Sequence, residues 1–139
     1  MWYTPDMPKD SLATNVKVTV TQEIPISRVA NLLCSALEGG SNYWAEIVKF
    51  TPPTSETFTE NKDFRHLHYP LNPGGSLTIL DSEEGKKHKL DLSAIEKGLQ
   101  KMADSEYNWH FGNFMAENDD AETGDVFLQF CLFGEIVYG

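Results

Sequence analysis

Arginine is scarce in this sequence. Arg28 and Arg65 are the only two among 11 basic residues, set against 21 Asp and Glu, for a net charge of −10. Binding to DNA or RNA rests on neutralising many phosphates with Lys and Arg, so direct nucleic-acid binding is excluded as the main role. Cysteine is as rare. Cys34 and Cys131 each sit in an apolar run, where a thiol is a small buried group. Without C-x-x-C pairs they build neither a disulfide scaffold nor a thiolate zinc site. No apolar run reaches bilayer-spanning length. Residues 1–13 lack the charged head, apolar centre and small-residue cleavage site of a secretion signal. Together these absences imply a cytoplasmic protein without membrane contact.

Several catalytic signatures are missing too. There is no G-x-S-x-G elbow. The glycines of "NPGGS" (72–76) precede a strand pattern and lack the lysine of a phosphate loop. The acidic run "ENDDAETGD" (117–125) fails as a calcium loop. With Gly124 at the sixth position, the third is Ala121 and the twelfth, normally a bidentate Glu, is Phe130. A helix N-terminus, which attracts carboxylates, accounts for the run better.

What is present is a foldable chain. Aromatics make up 12% of 139 residues, too many for a disordered chain and enough for one ordinary core. Residues 1–13 read as an irregular arm and 14–139 as a single domain. "VKVTVTQ" (16–22) alternates Val16, Val18 and Val20 against Lys17, Thr19 and Thr21, the pattern of a half-buried antiparallel strand. "SRVANLLCSALE" (27–38) has helical rhythm, with Ser27 able to cap it and Gly39 or Gly40 able to end it in a left-handed turn. Residues 43–50 favour a strand, with helix as the alternative. "DFRHLHY" (63–69) fits a further strand. Residues 76–92 fit a hairpin turning near Glu84-Gly85. A helix follows, with Ser93 and Glu96 at capping-box spacing and Asp91 an alternative cap. Residues 109–117 fit a short helix. The C-terminal apolar run fits helix or strand, and Asp120, Thr123 and Gly134 favour helix, followed by the extended tail "EIVY". The sum is an α+β fold: a small, mostly antiparallel sheet packed against three or four helices.

Three constellations merit a functional reading. His66 and His68, two apart on a strand, would share a face and could hold zinc or iron if a third ligand came from elsewhere, as in a metal-dependent enzyme. H-x-H alone is a weak signal, and polar positions on a half-exposed strand explain it better. "EGGSNYW" (38–44) places Ser41 and Asn42 before Tyr43 and Trp44. Such rings can stack on a base, with Asn42 reading its edge and Arg28, Arg65 and His68 clamping a phosphate. A helix cap followed by two core aromatics explains the same letters. Finally, "VFLQFCLF" (126–133) suits a core helix or a subunit interface of a homo-oligomer.

The segments "LLCSALEGGSNYW", "HYPLNPGGSLTILDSEEG" and "ENDDAETGDVFLQFCLFGEIVYG" resemble a group of small proteins encoded in tailed-phage and prophage genomes. The resemblance covers most of residues 16–139 and omits the arm. It implies viral origin and action in a bacterial host's cytoplasm, and it brings no catalytic residues and no cofactor. A small phage protein of this kind would counter host defence by holding a nucleotide-like ligand without cleaving it. The alternative is an acidic surface, in the manner of a DNA mimic, that inhibits a host defence protein.

Overall fold

The structure is a computed structural model that describes residues 14–54 and 66–139. It is an α+β fold: the described residues form a three-stranded antiparallel sheet and four helices. The order is α1 (Ile26–Ser35), β1 (Ala45–Thr51), β2 (Ser76–Asp81), β3 (Lys86–Leu90), α2 (Leu92–Asp104), α3 (Asn108–Met115) and α4 (Ala121–Phe133). In the sheet β2 lies between β1 and β3. Its Leu77 and Ile79 are fully buried, one on each side of Thr78, so the alternation of a strand covered on one face holds at the centre. The β2–β3 hairpin turns at Gly85, whose φ of 72° is open to glycine at little cost. β3 carries "KKHKL" on the sheet's edge, a lysine-rich rim that discourages further pairing.

The helices follow their caps. Asp91 accepts from the Ala94 amide at 2.9 Å and starts α2, which buries Ile95, Gly98, Leu99 and Met102. Asp120 accepts from the Thr123 amide at 3.0 Å and starts α4, and Gly134, at φ 74°, stops it. Residues 123–130 of α4 are all buried, the burial of a helix surrounded on every side. It packs against α1, α2, α3 and β3 and forms the centre of the core. Residues 126–130 of the apolar run are therefore core, and Cys131, Leu132 and Phe133 pack against it half-buried.

Four expectations change. Ser27 does not cap α1, which begins one residue after Pro25, without a side-chain cap. Gly39 and Gly40 do not adopt positive φ. The helix instead widens into a π turn over 36–40, and a Cβ on Gly40 would collide with the Ala121 carbonyl at the start of α4. Close backbone approach, not a left-handed cap, is what demands that glycine. Residues 66–71 form a turn and a short 3₁₀ segment, not a strand. Pro70, with φ preset for a helical turn, sits inside the 3₁₀ segment Tyr69–Leu71, and residues 63–65 of the expected strand lie outside the described residues. Residues 16–22 join no sheet at all.

Candidate functional site

"SNYW" folds around a carboxylate. Asp125, on the buried α4, accepts hydrogen bonds from the Ser41 hydroxyl (2.8 Å), the Tyr43 hydroxyl (2.6 Å) and the Trp44 indole N–H (2.7 Å). A buried carboxylate is costly unless its lone pairs are filled, and three donors from one four-residue stretch fill them. The ring of Trp44 is fully enclosed, against Phe133 (5.2 Å between centroids) and Tyr138 (5.5 Å). A second buried acid closes the other side. Asp81 accepts from the Tyr138 hydroxyl at 2.7 Å and from the Glu83 amide at 3.0 Å. Gln129 then clasps the tail. Its Oε1 accepts from the amides of Val137 (2.7 Å) and Tyr138 (2.8 Å), and its Nε2 donates to the Tyr138 carbonyl (3.1 Å).

These contacts set the titration of both tyrosines. Burial, and next the bond to Asp125, raise the Tyr43 hydroxyl well above its usual value. The bond to Asp81, and next burial, push Tyr138 from 10.0 up to about 12. A proton held more tightly by the folded state stabilises it below the unfolded value and ceases to do so as pH passes the folded one. The contribution of Tyr138 is therefore expected to be complete below pH 10.0 and lost by about pH 12. Urea midpoints measured across that range should fall with pH, and Tyr138→Phe should flatten the slope.

The described members of the stacking-and-clamp arrangement are not brought together. Trp44 has no exposed face on which a base could lie. Tyr43 is 51% exposed, but its hydroxyl is committed to Asp125. Asn42 is exposed beside it. Arg28 stands near the start of α1, roughly 20 Å along the helix from this stretch at 1.5 Å per residue. Its guanidinium donates to the carbonyls of Phe114 and Met115, lies 4.9 Å from the Phe114 ring centroid and faces Glu117 at 3.7 Å. It caps the carbonyl end of α3, where a cation is favoured. His68 is buried edge-on to Tyr69 at 5.7 Å between centroids. Arg65 lies outside the described residues. His66 packs against Phe50 and Tyr69, and among the described residues no three His, Cys, Asp or Glu side chains gather as a metal site.

An open groove lies apart from the Asp125 cluster. It encloses about 690 Å³ and runs between residues 20–26, α2 and α3. Leu71, Ile95, Leu99, Phe111 and Met115 contribute its apolar lining, and Val20 and Ile24 form one wall. Among the described residues its charged lining is Glu23 and Glu96, with Gln22 and Gln100 beside them. The volume suits a small molecule or a few side chains of a bound peptide. No cation lines it among the described residues, which makes it a poor seat for a phosphate. Sequence reasoning missed it because its parts come from four separated stretches. The one available signal was Ile24 and Ile26 flanking Pro25, ahead of the helix.

No family model matches the chain, and no curated protein or solved structure is significantly similar to it. Among the described residues no helix is long and apolar enough to cross a membrane.

Proposed function

We propose that this protein works by binding and not by chemistry, and that the groove beside residues 20–26 receives an apolar, positively charged segment of another protein. The observation that carries this is the lining: an apolar floor whose charges, among the described residues, are the carboxylates of Glu23 and Glu96. A nucleotide phosphate would meet repulsion there, whereas a Leu/Lys-rich segment would bury its apolar side chains and set its ammonium groups against the rim. The net charge of −10 would attract such a partner over distance, with strong salt dependence. The resemblance to phage proteins makes a host defence factor a fitting target, inhibited through an acidic face. Holding a nucleotide-like ligand at Tyr43 and Asn42 has less support, because Trp44 and Arg28 are engaged elsewhere.

A fluorescently labelled synthetic Leu/Lys amphipathic peptide tests the reading. Anisotropy should report saturable binding that weakens with salt. Glu23→Gln with Glu96→Gln should weaken it roughly three- to tenfold, the scale of two exposed ion pairs. ATP should not displace the peptide. Absence of binding, or binding indifferent to both substitutions, would count against the groove.

A further inference from the structure

Residues 15–24 carry the sequence of a strand and none of a strand's bonds. Val16, Val18 and Val20 are 88%, 78% and 70% exposed. Residues 14–23 are exposed throughout. No hydrogen bond of the described structure uses a backbone N–H or C=O from residues 14–24. Three valines at alternate positions, beside a backbone with both edges free, form a template for strand pairing. We propose that this segment pairs with the same segment of a second copy, antiparallel about a two-fold axis through Val20.

The sequence selects that register. With Val20 opposite Val20 of the second copy, Thr19 faces Thr21, Val18 faces Gln22, Lys17 faces Glu23 and Val16 faces Ile24. Two-fold symmetry makes each pair occur twice, so the ribbon gains two Lys–Glu pairs and two Thr–Thr pairs across its strands. A slip of one residue sets Val18 opposite Thr21 or Glu23 and loses the charge pairing. Centring on Val18 leaves Lys17 opposite Thr19. Pro25, which lacks an amide, falls opposite Asn15 at each end and limits the ribbon to about eight to ten backbone hydrogen bonds. A bare two-stranded ribbon is marginal in water. This one is not bare, because Val16 and Val18 of the second copy come to rest beside Ile24 and Gln22, at the wall of the groove. Valines without cover in one chain thereby extend an apolar wall in the other.

Sedimentation equilibrium of the full chain across the micromolar range should give a reversible dimer. Lys17→Glu sets like charges opposite each other twice and should weaken the dimer on the order of tenfold. Lys17→Glu combined with Glu23→Lys should restore it. Thr19→Pro should abolish it and leave the helical part of the far-UV spectrum unchanged, because these residues are exposed and precede the first helix. The register is read by cysteine pairing. Under mild oxidation Val20→Cys should cross-link to itself, and Val16→Cys should not, both against the wild-type background from Cys34 and Cys131. A monomer at every concentration overturns the proposal. So does equal cross-linking at positions 16 and 20, or a charge swap that fails to rescue. Glu23 serves both ideas, but Glu96→Gln tests peptide binding and Val20→Cys tests the ribbon, so either can fail without the other.

Discussion

Asp125→Ala is expected to destabilise the fold by about 3–5 kcal/mol. Ser41 and Trp44 are fully buried, and both donate to Asp125. Removing the acceptor leaves two enclosed donors without partners, at about 1–3 kcal/mol each, and releases Tyr43 as well. Urea unfolding monitored by tryptophan fluorescence measures the loss. Asp125→Asn keeps one acceptor oxygen and should cost less than half as much. A double-mutant cycle gives the sharper check. Ser41→Ala should be damaging in the native background and nearly neutral beside Asp125→Ala, since its partner is already gone. A loss below about 1 kcal/mol for Asp125→Ala would mean that the three donors find water or other acceptors, and that "SNYW" is not organised by the carboxylate.

Gly98→Ala is the second large effect, about 2–4 kcal/mol, from overpacking where two helices touch. Gly98 lies on the buried face of α2, and a Cβ there would sit 2.7 Å from the Cys131 Cα and 2.8 Å from its backbone nitrogen. The obstacle is main chain, which cannot rotate away as a side chain could, so α2 would have to move off α4. Gly112 supplies the control. It sits in α3 with nothing within 4 Å of a built Cβ. Gly112→Ala should therefore stabilise the protein by about 0.5–1 kcal/mol, the ordinary helix preference for alanine. Opposite signs for the same substitution, read by thermal unfolding, separate close packing from propensity.

These two sites mark where the sequence was legible and where it was not. The caps at Asp91 and Asp120, the stop at Gly134 and the hairpin at Gly85 act within four residues of themselves, so their letters suffice. The class of fold followed from them. The π turn at 36–40 could not be read, because its cause, the approach of Ala121, is far away in sequence. "SNYW" was read as a choice between pocket and core. Trp44 went to the core, and Ser41 and Asn42 parted, one buried against Asp125 and the other exposed. No local pattern joins position 41 to position 125. The valines of 16–20 were assigned a covered face by their alternation, yet within this chain nothing covers them. A rule built on folded interiors supplied the periodicity correctly but could not say whose interior it served.

The placement of α4 has a consequence for how the chain is made. The ribosome delivers Trp44 some 80 residues before its partner Asp125, and before the Phe133 and Tyr138 rings that enclose it. Until residues 121–133 have been made, α1 and β1 have no central helix to lie against. Their apolar faces wait in the open while the intervening 80 or so residues are added, and over that interval the nascent chain is exposed to chaperones.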